Sequence, residues 1–446
     1  MLKNAGKIQC ADLERYTDAY TADPVRLAMT NAFSKTAMND LAFNPNAARK
    51  MQFKFSIDLK TMSATNQRQS GRCWLFAATN VLREKVAKEL NLDSFELSQS
   101  YLAFWDKFER VNYYFESILD TAHLPADDRV VSYIVSTGVH DGGQWDMFVN
   151  IVKKYGVIPQ DAMPDTQQAC STGNMNMILN RYLRRCTPIL RALVAEDKSS
   201  EEIQAAKDEM LEKCYKFLLS CYGMPPKEFD FEYVDKDRTY HCEHFTVESF
   251  TEKFIGNMLD DYVGIIHAPT ADKPFGKKYT VAYLGNVVGG ADVAYLNLDM
   301  PAFKEAVISQ MKDGEIVWFG SDCGKFGENT KKQWDDQSYD YELLSGLNID
   351  MTKADMLDYH VSQMNHAMVL TGVNLDENGT PDRWKIENSW GSDGPHKGYH
   401  MASDSWFDKF VYQAVVHKKY LGDAASLLDT EATVLSPWDP MGSLAD

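Results

Sequence analysis

The stretch Gln67-Arg68-Gln69-Ser70-Gly71-Arg72-Cys73-Trp74-Leu75-Phe76-Ala77 decides how the rest of the chain is read. A helical pattern starts at Cys73 and runs to about Leu90, with Leu75, Ala78, Leu82 and Val86 on one face of a 3.6-residue period. A lone cysteine reads as a small buried hydrophobe. This one opens a helix directly after a glycine-containing turn. There the backbone N–H groups lack intrahelical acceptors and the helix dipole favours a thiolate over a thiol. A thiolate is the form that attacks a carbonyl carbon. Six positions upstream, Gln67 carries an amide that a turn at Ser70-Gly71 folds back beside the sulfur. Acyl transfer needs such a donor for the oxyanion of its tetrahedral intermediate.

A nucleophilic cysteine requires a base and something to orient it. His366 follows Asn365 and leads into the apolar run 367–373, which reads as a strand bounded by glycine. A histidine at the edge of a buried strand has its backbone fixed and its ring at the sheet surface. Residues 315–319 and 384–387 read as further strands. Asn388, in Glu387-Asn388-Ser389-Trp390-Gly391, is placed to hydrogen-bond the ring, with Trp390 shielding that bond from water. By itself Asn-Ser is only a turn signal.

The middle of the chain has a different character. Apolar residues recur at helical spacing over 177–194 and 203–219, and Ser199 with Glu202 forms a capping box before the second run. Ile203, Ala206, Met210, Cys214 and Phe217 make the expected inner stripe. No chemistry is placed there, and a helical insertion is expected. Residues 1–62 mix short helical patterns with turn signals such as Asn44-Pro45-Asn46.

With 46 basic and 64 acidic residues in 446, the formal charge is −18. An acidic surface keeps a protein soluble and repels phosphate backbones, which makes nucleic acid a poor partner. No apolar run approaches the roughly 18 residues of a transmembrane helix, and Met1-Leu2-Lys3-Asn4 lacks the layout of a signal peptide. The eight cysteines lie far apart, without C-x-x-C pairs or metal-ligand spacing. Reduced thiols and a cytoplasmic location are the expectation.

Gln-x5-Cys-Trp, Asn-His-Ala and Asn-Ser-Trp-Gly, in that order, resemble the papain-like cysteine peptidases. More closely, Ser-Gly-Arg-Cys-Trp-Leu-Phe-Ala at 70–77, Asp-Gly-Gly-Gln-Trp-Asp-Met at 141–147 and Trp-Asp-Pro-Met-Gly at 438–442 look like the bleomycin hydrolase/aminopeptidase C family. The resemblance implies that Cys73 is the nucleophile, His366 its proton partner and Asn388 the residue that orients the imidazolium. Gln67 and the Cys73 backbone N–H would form the oxyanion hole. Gly142 and Gly143 match the paired glycines along which substrate backbone lies. In secreted papain-like enzymes the positions of Ser70 and His140 hold cysteines; if those form a disulfide, both halves are absent here. His366 also lies unusually far from Cys73, an excess that the segment 165–295 accounts for.

The expectation is an α+β papain-like fold of two lobes. An N-terminal extension covers 1–62, a helical lobe with the nucleophile 63–164, and a mostly helical insertion serving oligomerisation 165–295. A β-rich lobe with His366 and Asn388 covers 296–436, and a C-terminal arm 437–446 runs extended into the cleft. The resemblance implies a cysteine aminopeptidase of broad specificity acting on peptides through an acyl-thioester, assembled as a homohexamer, with no metal or organic cofactor. Ala445 and Asp446 would face the substrate's amino end, beside Gly142, Gly143 and Trp390. The rivals are a papain-like endopeptidase and, more distantly, a non-catalytic scaffold or nucleic-acid-binding protein on the same fold.

Overall fold

Strands covered on both faces lose the alternation of polar and apolar residues, and the middle of the sheet reads that way. Val317–Ser321 is buried throughout, and His366–Leu375 over its first eight residues. In the computed structural model, which describes residues 6–444, these strands are antiparallel neighbours with His366 opposite Ser321. They lie in a twelve-stranded sheet. Beyond His366–Leu375 come Pro381–Glu387, Tyr399–Ser403, Gln333–Trp334 and Gly327–Glu328. Beyond Val317–Ser321 come Val411–His417, Tyr262–Ile266, Ala294–Asn297, Lys277–Val281 and Thr433–Leu435. The strands expected at 315–319, 367–373 and 384–387 are therefore present, each shifted or extended by a few residues.

The helix expected from Cys73 to Leu90 runs Cys73–Glu89, with Leu90 as its C-cap. Leu75, Ala78, Leu82 and Val86 are buried as the pattern requires, but so are Trp74, Ala77, Asn80 and Arg83 on its other faces. It is covered on nearly every side because it lies against the helices Gln99–Asp120 and Trp145–Tyr155 and the strand His366–Leu375. The first residue of this helix thus has a stiff mount.

The capping box forms as expected. Ser199 Oγ accepts from the Glu202 N–H at 3.2 Å, and Glu202 Oε2 from the Ser199 N–H at 3.0 Å. The helix Ser200–Tyr222 packs with Gly173–Ala195 on Gln99–Asp120. Met210 and Cys214 of the expected stripe are buried; Ile203, Ala206 and Phe217 are half-buried, and Lys207, Leu218 and Cys221 take the inner row. Lys207 is tolerated there because Glu116 pairs with its ammonium. The long helices end at Tyr222, and only the short helix Val247–Phe254 and the 3₁₀ turn Met258–Asp261 follow before the sheet resumes. A hairpin follows, Glu228–Val234 with Tyr240–Thr246, whose Phe229, Phe231 and Phe245 close on Phe250. The three strands after it join the main sheet, so the end of the region 165–295 belongs to the β structure.

Residues up to Gln52 form a separate unit with 335–351. The N-terminal extension expected over 1–62 thus takes a partner segment from within 296–436. Asp23 and Asn44 each cap a helix whose first residue is proline, Pro24–Phe33 and Pro45–Ala48. Asn44-Pro45-Asn46 is therefore a helix start rather than a plain turn. The Asn44 N–H donates to the Ser338 carbonyl, and the rings of Phe43 and Tyr339 meet edge-on at 5.8 Å. The helices Cys10–Thr21 and Pro24–Phe33 bury none of their residues. Among the described residues no helix is long and apolar enough to cross a membrane.

Candidate active site

Gln67 is held at both ends of its amide. Its Oε1 accepts from the Ser389 hydroxyl at 2.6 Å, and its Nε2 donates to the Ser70 carbonyl at 2.5 Å. The backbone follows, with the Gln67 N–H donating to the Ser389 carbonyl at 2.9 Å. An amide nitrogen carries two hydrogens, so this clamp leaves one N–H to give. It also joins the stretch before Cys73 to the stretch after Asn388, far apart in sequence.

Cys73 is the first residue of its helix and is fully buried. Beside it, Arg72 reaches away to Asp165 through two hydrogen bonds of 2.9 and 3.2 Å, and its Nε donates to Ser70 Oγ. The guanidinium charge is thus met by Asp165. The Trp74 carbonyl, one residue on, accepts from Trp318 Nε1 at 3.2 Å. Trp318 stands opposite Val369 in the sheet, three residues beyond His366.

His366 opens its strand and is buried, with Nε2 2.8 Å from Asn388 Oδ1. The same Oδ1 accepts the Ser389 backbone N–H at 2.8 Å. A backbone N–H is only a donor, so the amide oxygen is the atom facing both groups. Nε2 therefore carries the hydrogen, and in the neutral ring Nδ1 is the basic nitrogen. Burial pushes the imidazole down to about 4, with the Asn388 hydrogen bond opposing. Trp390 stacks on the ring with centroids 5.0 Å apart, its own ring part-open to solvent. Gly391 follows at φ +83, and a Cβ there would lie 2.8 Å from Asn66 Nδ2.

Gly143 packs on the ring of Trp74, the residue after Cys73, where a Cβ would lie 2.5 Å from it. The Gly142 carbonyl accepts from Arg110 Nη2 at 2.5 Å. Before them stands Asp141, a buried carboxylate that the sequence reading passed over. It accepts the Gly71 N–H at 3.1 Å, Asn176 Nδ2 at 2.9 Å and the Thr172 hydroxyl, and it pairs with buried Lys107 at 2.5 Å. Its backbone carbonyl accepts Trp74 Nε1 at 2.7 Å. Burial alone would raise this carboxyl, but Lys107 and the hydrogen bonds hold it well below the usual range. Ser70 and His140 flank this joint, and no disulfide involves any of the eight cysteines. The two loops are tied by Asp141 instead.

The tail is not extended throughout, as its prolines and glycine had led one to expect. Pro440–Gly442 forms one 3₁₀ turn, because Asp439 caps it and Pro440 sits at its first position, where no N–H is needed. Asp439 also pairs with buried Lys273 at 2.9 Å. Arg129 lies over the Trp438 ring, 3.7 Å from its centroid. Farther on, the Ser443 carbonyl accepts from Gln144 Nε2 at 2.8 Å, and its hydroxyl donates to the Met364 carbonyl. Ser443 therefore bridges the residue after Gly142-Gly143 and a residue two before His366. Ala445 and Asp446 lie outside the described residues. Among the described residues no group of His, Cys, Asp and Glu is arranged to hold a metal ion.

The description of the Peptidase C1-like family matches residues 7–442. Aminopeptidase C of Lactobacillus delbrueckii subsp. lactis is 43% identical over 438 residues, 97% of each chain. Aminopeptidase C of Streptococcus thermophilus is 45% identical over 428 residues, 96% of each. The crystal structure of PepW from Lactobacillus rhamnosis HN001 superimposes with a TM-score of 0.96 at 46% identity, covering 99% of this chain and 100% of that one. The chain therefore belongs to the Peptidase C1-like family, and over nearly its whole length it is similar to that family's aminopeptidases C.

Proposed function

We propose that the protein, a cysteine-type aminopeptidase, releases N-terminal residues from peptides through an acyl-thioester on Cys73. The single observation that carries the reading is the His366–Asn388 pair, which leaves Nδ1 as the ring's reactive nitrogen on the strand packed against the Cys73 helix. The Cys73 sulfur adds to the scissile carbonyl. The free N–H of Gln67 and the backbone N–H of Cys73 receive the oxyanion. His366 gives its proton to the leaving amine, the C–N bond breaks, and a water activated by the same ring then hydrolyses the thioester. Gly142 and Gly143 offer backbone to an extended substrate, and Trp390 keeps water from the His366–Asn388 bond. No step calls for a metal or an organic cofactor. Free and N-acetylated aminoacyl fluorogenic substrates assayed side by side test the activity; equal turnover of both would favour the endopeptidase reading.

The arm supports the exopeptidase reading. Ser443 is held between Gln144 and Met364, which supports a reading in which the arm limits how far a substrate extends on the N-terminal side of the scissile bond. The role proposed for Ala445 and Asp446, which lie outside the described residues, is to present a carboxylate to the substrate's α-ammonium, an attraction that strengthens where water is excluded. Deleting residues 443–446 is expected to weaken the preference for a free amine and to open internal cleavage of N-blocked peptides. A truncated protein with unchanged selectivity would leave the arm without this role.

We further propose self-assembly, as a hexamer, in the cytoplasm. Two helices that bury nothing, with Leu13, Tyr16 and Val25 exposed, and the exposed Met177 and Ile178 of the insertion support association. Eight cysteines without a disulfide fit a reducing compartment. Sedimentation at micromolar concentration is expected to give the mass of six chains; a fully active monomer would remove the assembly and leave the chemistry intact.

A further inference from the structure

One residue before Asn388, the strand Pro381–Glu387 ends in a carboxylate with almost no solvent exposure. Glu387 Oε1 accepts Arg83 Nη2 at 2.8 Å and Asn80 Nδ2 at 2.9 Å, and Oε2 accepts the Thr61 hydroxyl at 2.6 Å. Asn80 and Arg83 are three residues apart, on one face of the helix that Cys73 opens. The same two side chains reach the segment that leads to Gln67. Arg83 Nη2 donates to the Ser63 carbonyl at 3.0 Å, and Asn80 Nδ2 to Thr65 Oγ1 at 3.1 Å. One carboxylate thus joins three pieces of backbone: the Cys73 helix, the 61–65 segment and the end of the strand that delivers Asn388.

Such a pair is a poor device for stability alone. Two desolvated charges repay their burial only in part, and apolar residues of similar volume often hold a core as well or better. Burial pushes the Glu387 carboxyl up to about 7 against the opposing pull of Arg83 and Thr61. Arg83 Nε makes no hydrogen bond, its nearest anion being Glu84 Oε1 at 3.6 Å. What directional charged bonds supply, and apolar packing does not, is fixed spacing.

We propose that Glu387 and Arg83 are positioning residues that set the register of the Cys73 helix against the Asn388 end of its strand. The inference rests on the roles proposed above for Cys73 and Asn388. Neither side chain touches substrate; both act through the elements they join.

The test replaces both charges, Glu387→Met with Arg83→Met, so that neither is left without the other; Glu84, 3.6 Å from Arg83 Nε, keeps the Met62 N–H and its opening to solvent. The pair is expected to keep the wild-type melting temperature within a few degrees. Its kcat should fall by about 10²-fold, the cost of an ångström-scale misplacement, with KM changed by less than about threefold and alkylation of Cys73 slowed. Wild-type kcat in this variant, or a loss that only follows the unfolded fraction, overturns the proposal. Should the double variant fail to fold, Arg83→Lys decides. It keeps the charge but loses the rigid, planar guanidinium whose Nη2 is aimed at both Glu387 and the Ser63 carbonyl, and kcat should drop about tenfold at constant KM. Unchanged kcat there overturns it too. Activity that survives Cys73→Ser would instead overturn the nucleophile assignment beneath it, a separate and distinguishable failure.

Discussion

Cys73→Ser should lower kcat by about 10⁶-fold, the size of loss when a peptidase loses its nucleophile, while the protein stays folded. Iodoacetamide should label Cys73 well before the other seven cysteines. Exposure argues for the opposite order, since Cys10 and Cys242 are exposed and Cys73 is fully buried. Only ionisation favours Cys73. Burial, with Cys186 near Cys214 and the Asp322 charge near Cys323, pushes both thiols up to about 12, which makes them poor nucleophiles. The pH profile carries the finer information. With its pKa held near 4 by burial, the His366 ring is neutral above that pH unless an anion faces it. In the proposed mechanism a thiolate at Cys73 is such an anion, and each of the pair would then stabilise the charge on the other. Rapid labelling that persists below pH 6 is expected. Labelling no faster than at Cys10, or full activity in the serine variant, would end the assignment.

Gln67→Ala should lower kcat by about 10²–10³-fold and leave KM nearly unchanged. An oxyanion donor acts on charge that exists only in the transition state, so ground-state binding should not notice its loss. The clamp from Ser389 and Ser70 sharpens this expectation, because the amide is already oriented before substrate arrives. If KM rises while kcat holds, Gln67 is a binding residue and the oxyanion donor must be sought elsewhere.

How much of this was readable in advance depends on how local each signal is. The Cys73 helix, the strand after His366 and the Ser199–Glu202 capping box are written in consecutive residues, and all three stand in the structure. The buried row of Ser200–Tyr222 was readable only in part. Which helical face turns inward depends on the neighbouring helices, and Glu116, on another helix, lets a lysine take an inner position. The strand Tyr262–Ile266 carries an apolar run that could have been found. Short strands are easily passed over when helices precede them, and its partners Ala294–Asn297 and Val411–His417 are distant in sequence. Asp141 and Glu387 each open a motif read for its other residues, and nothing local gave either a role of its own. Each looks like an ordinary acidic residue until distant helices bring Lys107, Thr172 and Asn176 to one, and Asn80 and Arg83 to the other. The pairing of 335–351 with the N-terminal residues was invisible for the same reason.

The Asp141 joint has a consequence for how the enzyme is made and kept. Where two loops of a thiol peptidase are held by a cystine, a thiolate nucleophile sits near a sulfur it can attack, and exchange between them is a route to scrambled or dead protein. Here the Gly71 N–H, Lys107 and Asp141 close the joint as the chain folds, without an oxidant and without a second sulfur in the linkage. Recovery from denaturant then has no pairing step to wait for. High thiol concentrations, which keep a cysteine such as Cys73 reduced, would leave this joint untouched.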